Sequence, residues 1–396
     1  MTYPAMPLGD LVIPRPGTRN PATGGEATFK YVDLESVDRE KKVISSPKVT
    51  ICKNAPSRAR KVIKADDVLV SLVRPNLNAV AMVPPELDNE IASTGFCVLR
   101  ATERVLPLYV YFAVRSPTFI NGLCGLVSGA LYPAVTESQV LSQRIPVPPV
   151  EEQRRIVDLL SRAENIVRMR REAEAKAKEV IPALFLDMFG DPATNPKGWD
   201  IRPLGDILRS IDFGLSVALS KDVDFKPGRT GVLRIANITA NGHLDLTDVR
   251  YIKVSDNHRT RLDLRAGDLL FNWRNSPKWV GKTAFVANGL EHTFASFLYR
   301  LRASPERADS HYVWRYLNLL RERGVFESMC RQAVSQANLG RDELASVRVM
   351  VAPLERQQSF GKWCVHLWGV EAQLARATWT AETAFQSLLA GVFGER

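Results

Sequence analysis

The sequence predicts a mixed α/β protein: two similar α/β domains separated by two long α-helices that pair as an antiparallel coiled coil, with pseudo-twofold symmetry. Three observations predict it. The chain repeats itself over about half its length. Strand-like runs of Val, Ile, Leu and Phe fill the first part of each copy. A heptad pattern in one shared register closes both copies.

The repeat is read residue by residue. Pro7-Leu8-Gly9-Asp10 recurs as Pro203-Leu204-Gly205-Asp206, and Asp67-Val68-Leu69-Val70 as Asp268-Leu269-Leu270-Phe271. Leu99-Arg100-Ala101 recurs as Leu301-Arg302-Ala303, and Tyr109-Val110-Tyr111 as Tyr312-Val313-Trp314. Pro149, Glu151 and Gln153 return as Pro353, Glu355 and Gln357, and Phe189-Gly190 as Phe393-Gly394. The matches keep their order while the spacing between copies lengthens slowly, as small loop insertions would make it.

The copies divide at the same places. Residues 1–148 form a first globule, 149–190 a central helix, 191–352 a second globule and 353–394 a C-terminal helix. Strand-like runs in the first globule are Val49-Thr50-Ile51, Asp67 to Val73, Ala79 to Val83 and Phe96 to Leu99. In the second, Gly231 to Ile238, Asp268 to Phe271, Thr283 to Val286 and Phe297 to Leu301 look the same. A helix near Pro107 to Arg115, repeated near Ser310 to Arg323, follows the strands.

Both long helices carry start and stop signals. Pro149 and Pro353 suit a first turn, where the missing N–H has no partner to lose. Glu151, Glu152 and Glu355 lie where the dipole favours carboxylates, and Gly190 and Gly394 suit a C-terminal stop. Heptad spacing places Ile156, Ala163, Arg170, Ala177 and Leu184 on one seam position and Leu159, Ile166, Ala173 and Val180 on the other. The second helix repeats this with Phe360, Leu367, Leu374, Ala381 and Leu388, then Trp363, Val370, Ala377 and Ala384. The seams offer each other a partner. Pro182 is expected to kink or interrupt the first helix.

Composition narrows the class. The 396 residues carry a formal charge of +10, which suits a polyanion without proving one. Five scattered cysteines show no zinc spacing and fit a reduced compartment. No signal peptide or apolar run of bilayer length is visible, so a soluble cytoplasmic protein with no membrane partner is expected. The chain holds no phosphate loop, G-x-G-x-x-G, H-E-x-x-H or G-x-S-x-G, nor a methyltransferase tetrapeptide of the Asn-Pro-Pro-aromatic kind. We therefore expect neither a catalytic residue nor a bound metal.

Loops that mix cations with amides suit nucleic acid, because Arg and Lys neutralise phosphate while Arg reads guanine and Asn or Gln reads adenine. The first globule offers Lys53, Asn54, Arg58, Arg60, Lys61, Arg74, Asn76 and Asn78. The second offers Arg234, Asn237, Asn272, Arg274, Asn275, Lys278, Lys282, Ser335, Gln336 and Asn338. Arg74 to Asn78 and Asn272 to Asn275 follow the same repeated strand, so one topological place carries different side chains.

At this point a family resemblance appears. Ile145-Pro146-Val147-Pro148-Pro149-Val150-Glu151-Glu152-Gln153-Arg154-Arg155-Ile156-Val157 resembles the start of the long helix in type I restriction–modification specificity subunits. Leu184 to Asp191, followed by Asn195-Pro196-Lys197-Gly198-Trp199, is similar to its end and the lead into a second target-recognition domain. Leu233 to Ile238, and Gly267 to Phe271 with Val280-Gly281-Lys282, resemble strands of that domain.

The resemblance implies a non-catalytic chain that recognises a bipartite, asymmetric site in double-stranded DNA through two target-recognition domains. It also implies two methyltransferase (modification) subunits and two restriction (motor and nuclease) subunits as partners. S-adenosylmethionine, ATP and magnesium would be bound by those partners and none by this chain. A helix of about 35 residues is roughly 50 Å long, against about 35 Å for a turn of B-DNA, so two globules could reach separate groove segments. A specificity protein serving a methyltransferase alone, and a coiled-coil scaffold that binds no DNA, remain open on the residues.

Overall fold

The computed structural model describes residues 3–14, 17–127, 133–216, 227–333 and 336–394. It falls into two compact units, Met1–Glu174 with Leu374–Arg396, and Ala175–Gln373. The boundaries thus lie inside the long helices, not at the globule ends. Each unit is one globule plus half of each helix.

The first unit builds on Val68–Ser71, the middle strand of an antiparallel three-stranded sheet between Phe96–Leu99 and Val80–Met82. All four residues of Val68–Ser71 are buried, which is why the run is apolar on both faces instead of alternating. Thr28–Val32 pairs in parallel with Ile91–Ser93 in a second sheet. Ala5–Pro7 pairs with Arg144–Pro146, tying the chain start to the lead into the first long helix.

The second unit repeats this plan. Leu269–Asn272 lies between Leu298–Ala303 and Thr283–Phe285. Thr230–Leu233 runs parallel to His292–Phe294, and Asp200–Pro203 pairs with Arg348–Val351. An additional small sheet, Arg274–Asn275 with Gln336–Asn338 and Arg331–Ala333, exists here among the described residues. Pro107–Ala113 and Ser310–Glu322 are the expected short helices.

Three polar clasps recur in both units. Arg100 donates from Nε and Nη2 to the carboxylate of Asp67 at 2.8 and 2.7 Å, and Arg302 does the same to Asp268 at 2.6 and 2.7 Å. Each Asp also accepts a backbone N–H, from Lys64 or Arg265, at 2.8 Å. Buried Gln153 accepts from the Leu106 N–H at 2.9 Å and donates to the Pro148 carbonyl at 2.9 Å. Gln357 repeats this with the Asp309 N–H and the Ala352 carbonyl at 3.0 and 2.7 Å. Tyr109 and Tyr312 donate to the carbonyls of Pro146 and Met350, both at 2.8 Å. Such bonds satisfy buried groups that would otherwise be desolvated without partners.

The long helices run Val150–Phe189 and Leu354–Phe393. Pro182 does not interrupt the first, which continues for two more turns with Ile181, Phe185 and Phe189 anchored in the core. Gly190 then takes φ +81° and its N–H bonds the Leu186 carbonyl at 2.8 Å, the left-handed stop that glycine supplies. In the first unit Ile156, Leu160, Ala163 and Val167 share a core with Ala381, Phe385, Leu388, Leu389 and Phe393. In the second, Ile181, Phe185 and Phe189 share one with Phe360, Cys364 and Leu367. The early half of each helix therefore meets the late half of the other, an antiparallel pairing.

One seam position needs correcting. Leu159, Ile166 and Ala173 are exposed, the first two at 47% and 48%. Val180 is 42% exposed and Trp363 51%. The inward positions run one residue later: Leu160, Val167 and Ile181, matched by Cys364, Thr378 and Phe385. The other seam stands nearer the core, with Phe360 buried and Ile156, Ala163, Ala177, Leu367, Leu374 and Ala381 half-buried. Spacings of three then four, or four then three, both keep a heptad, and the larger side chains at Leu159, Ile166 and Trp363 favour the wrong one.

Candidate nucleic-acid interface

In the first unit the chain leaves Val68–Ser71 and turns through Pro75–Leu77, a single 3-10 turn. Arg74 and Asn78 flank it at φ +51° and +48°. Left-handed non-glycine residues are uncommon, and two around one proline turn mark a loop whose shape the surroundings impose. The Arg74 N–H donates to the Pro133 carbonyl at 2.8 Å. Arg74 and Asn76 point to solvent. Asn78 is half-buried; its Nδ2 donates to the Arg115 carbonyl at 3.2 Å, and its own carbonyl accepts from Lys42 Nζ. Burial, then the nearby Arg115 and Arg171 charges, push the Lys42 amine down to about 8.

The other first-unit candidates lie on or beside Lys48–Ile51 and Ala59–Val62, the outer strands of the sheet that holds Thr28–Val32 and Ile91–Ser93. Lys53, Asn54 and Arg58 are exposed, with Lys53 paired to Glu26 at 2.5 Å. Arg60 folds back on the Ala59 carbonyl at 2.7 Å. Lys61 is spent on the Phe96 carbonyl at 2.6 Å and on Glu137. Arg60 and Lys61 thus serve the fold more than a ligand.

In the second unit the structure separates two groups. Arg234 pairs with Asp248 at 2.8 Å, and buried Asn237 donates to the Asp245 and Asp248 carbonyls at 2.8 and 3.0 Å. Asn272 is fully buried, its Nδ2 3.4 Å from the Trp279 carbonyl. Lys282 donates to the Ile238 carbonyl at 2.7 Å, and burial, followed by the Arg321 charge, lowers its pKa. These four hold loops in shape.

The remaining candidates gather. Arg274 pairs across the small sheet with Asn338, and Asn275 lies beside them. All three are half-buried, and Lys278 is exposed over the Trp279 ring at 5.5 Å. Asn275 Oδ1 accepts the Ser276 N–H at 2.8 Å. Ser335 lies outside the described residues, and of Gln336 only the backbone is described.

Sequence reasoning missed the aromatic wall beside this group. Trp273 stacks on Tyr299 at 5.4 Å and meets Phe213 and Phe297 edge-on at 5.8 and 6.2 Å. Its Nε1 donates to the Ser296 carbonyl at 2.8 Å. The signal available was Trp273 inside the flagged Asn272 to Asn275 loop. Phe297 sits on a different strand end, which spacing alone could not bring near.

Among the described residues, no group of three or more His, Cys, Asp or Glu could hold a metal ion, and no helix is long and apolar enough to cross a membrane. The geometry offers cation–amide edges at two equivalent strand ends.

Comparison with known proteins follows the same lines. Residues 52–178 match the family described as type I restriction modification DNA specificity domain. The chain is 27% identical over 169 residues to a putative type I restriction enzyme MjaX specificity subunit of Methanocaldococcus jannaschii, covering 42% of this chain but 39% of that protein. It is 23% identical over 366 residues to the type I restriction enzyme EcoKI specificity subunit of Escherichia coli, covering 87% and 77%. A solved structure, described as the structural basis underlying complex assembly and conformational transition of the type I R-M system, matches all of this chain and 98% of its own. Its TM-score is 0.64 at 27% identity.

Proposed function

We propose that this chain, which is similar to type I restriction–modification specificity subunits, is the DNA-reading subunit of such a complex. Each unit reads one half of a bipartite, asymmetric site in double-stranded DNA. One observation carries this reading: the same strand end recurs in both units with different polar side chains, exposed in the first and half-buried in the second. The Leu72 N–H bonds the Gly95 carbonyl at 2.9 Å in the first unit, and the Trp273 N–H bonds the Phe297 carbonyl at 3.3 Å in the second. One scaffold thus presents Arg74 and Asn76 at one place and Arg274 and Asn275 at the other. Phosphate contacts give such a surface affinity, and base-edge contacts give it sequence preference.

The chain itself is non-catalytic in this reading. Two methyltransferase subunits and two restriction subunits supply the chemistry, and they bind S-adenosylmethionine, ATP and magnesium. Support for protein partners comes from the outward helix faces. Leu159, Ile166, Met169 and Trp379 are exposed in the first unit, and Val180, Trp363 and Val365 in the second. Large apolar side chains left exposed along a helix suit a protein interface better than solvent.

Methylation mapping tests the proposal. A host expressing the chain with its methyltransferase partner should gain methylation at one split motif that vanishes when this gene alone is removed. Unchanged motifs, with both proteins confirmed present, would refute it.

A further inference from the structure

The aromatic wall of the second unit is not required by the fold. The shared backbone bond aligns Leu72 with Trp273 and Gly95 with Phe297. The strand registers extend the match, because Phe96 opposes Ser71 as Leu298 opposes Asn272, which places Cys97 opposite Tyr299 in the alignment. The first unit builds the same sheet with Leu72, Gly95 and Cys97. The second has replaced all three with aromatic residues, and the outermost, Phe297, remains 41% exposed. Arg274 holds that ring, its guanidinium 5.0 Å from the centroid. Trp273 supports it edge-on, and Tyr299, buried, supports Trp273.

We infer that Phe297 is a specificity-determining residue that contacts the 5-methyl group of a thymine in the half-site read by the second unit. The inference rests on the DNA-reading function proposed above. An exposed phenyl ring beside a fixed cation has no hydrogen bond to offer a base, but it complements the methyl group that marks thymine in the major groove. The cation places the ring where a polyanion is welcome, and the stack behind the ring fixes its orientation before binding. In the first unit Gly95 leaves the equivalent place without a side chain, so thymine reading at this point belongs to one half-site.

The test uses the assembled complex and duplexes carrying its mapped site. Each thymine is replaced singly by deoxyuridine, which lacks only the methyl. Burying one methyl is worth about fourfold in affinity. Deoxyuridine at one position of one half-site should therefore weaken binding by about that factor. Phe297→Ala should abolish the difference between thymine and deoxyuridine there, and Phe297→Leu, which keeps apolar bulk, should preserve much of it. Thermal melting of both variants checks that they fold. Three results would overturn the inference: no deoxyuridine position mattering, the same sensitivity persisting in Phe297→Ala, or a second half-site without an A·T pair. Loss of all binding by folded Phe297→Ala with no deoxyuridine effect in the parent would instead make the ring a wedge between base steps. Failure of the parent complex to bind any duplex in a salt-dependent way would reject the underlying function and not this residue alone.

Discussion

Asp268→Ala is expected to destabilise the second unit by about 3 kcal/mol or more, the usual loss when one partner of a buried ion pair is removed. The carboxylate is 1% exposed and meets both Nε and Nη2 of Arg302. It also accepts the Arg265 N–H, so alanine leaves that backbone donor without its acceptor and the Arg302 guanidinium with only its longer 3.8 Å contact to Asp263. Asp67→Ala should do the same to the first unit, because Asp67 is equally buried and holds Arg100 and the Lys64 N–H in the same way. Denaturant unfolding of the full chain measures both. A loss below about 1 kcal/mol, the range of an exposed pair, would contradict the structural role given to the clasp.

Phe185→Ala should destabilise by about 3 to 5 kcal/mol, whereas Leu159→Ala on the same helix should change stability by less than about 0.5 kcal/mol. Phe185 is fully buried, with ring centroids of Phe189, Tyr312 and Phe360 5.0, 5.4 and 5.4 Å away. Its loss opens a cavity where the two long helices meet the second globule. Leu159 is 47% exposed and opens none. Equal losses at the two positions would mean that the helix is turned by one residue, toward the seam that the heptad arithmetic favours. Thermal melting of the two variants beside the parent decides the point.

That contrast shows where the sequence is legible. Duplication, strand positions and the ends of the long helices can be read directly, because Pro, Gly and buried apolar runs report local geometry. Gln153 and Gln357 stand out as a repeated pair, yet their use as clasps depends on the backbone N–H groups of Leu106 and Asp309, which only the folded chain brings near. The helix seam misleads because Leu159, Ile166 and Trp363 are apolar for a surface that leaves them outside, while Thr378 is buried in spite of its hydroxyl.

The candidate readers divide for a similar reason. Arg234, Asn237, Asn272 and Lys282 have the right chemistry for DNA, but their polar groups are directed to Asp248, to backbone carbonyls or into the interior. Residue type shows what a side chain can bind and not what it already holds. Arg74 and Arg274 keep their place at equivalent strand ends, and the strained backbone at Arg74 adds a reason to watch that loop. The short sheet that carries Arg274 and Asn338 escapes notice because its strands are brief and polar, without the alternation that marks a half-buried strand.

The central claim is that one fold, used twice, reads two different half-sites. Selection of bound duplexes from a randomised library by the assembled complex, run for the parent, Arg74→Ala and Arg274→Ala, tests it most directly. A lost base contact is worth roughly 1 to 3 kcal/mol of discrimination. Each variant should relax the base preference in one half-site only, a different half for each, with the other half and the spacing unchanged. Relaxation of the same half by both variants, or an even loss of affinity on every sequence, would contradict the account.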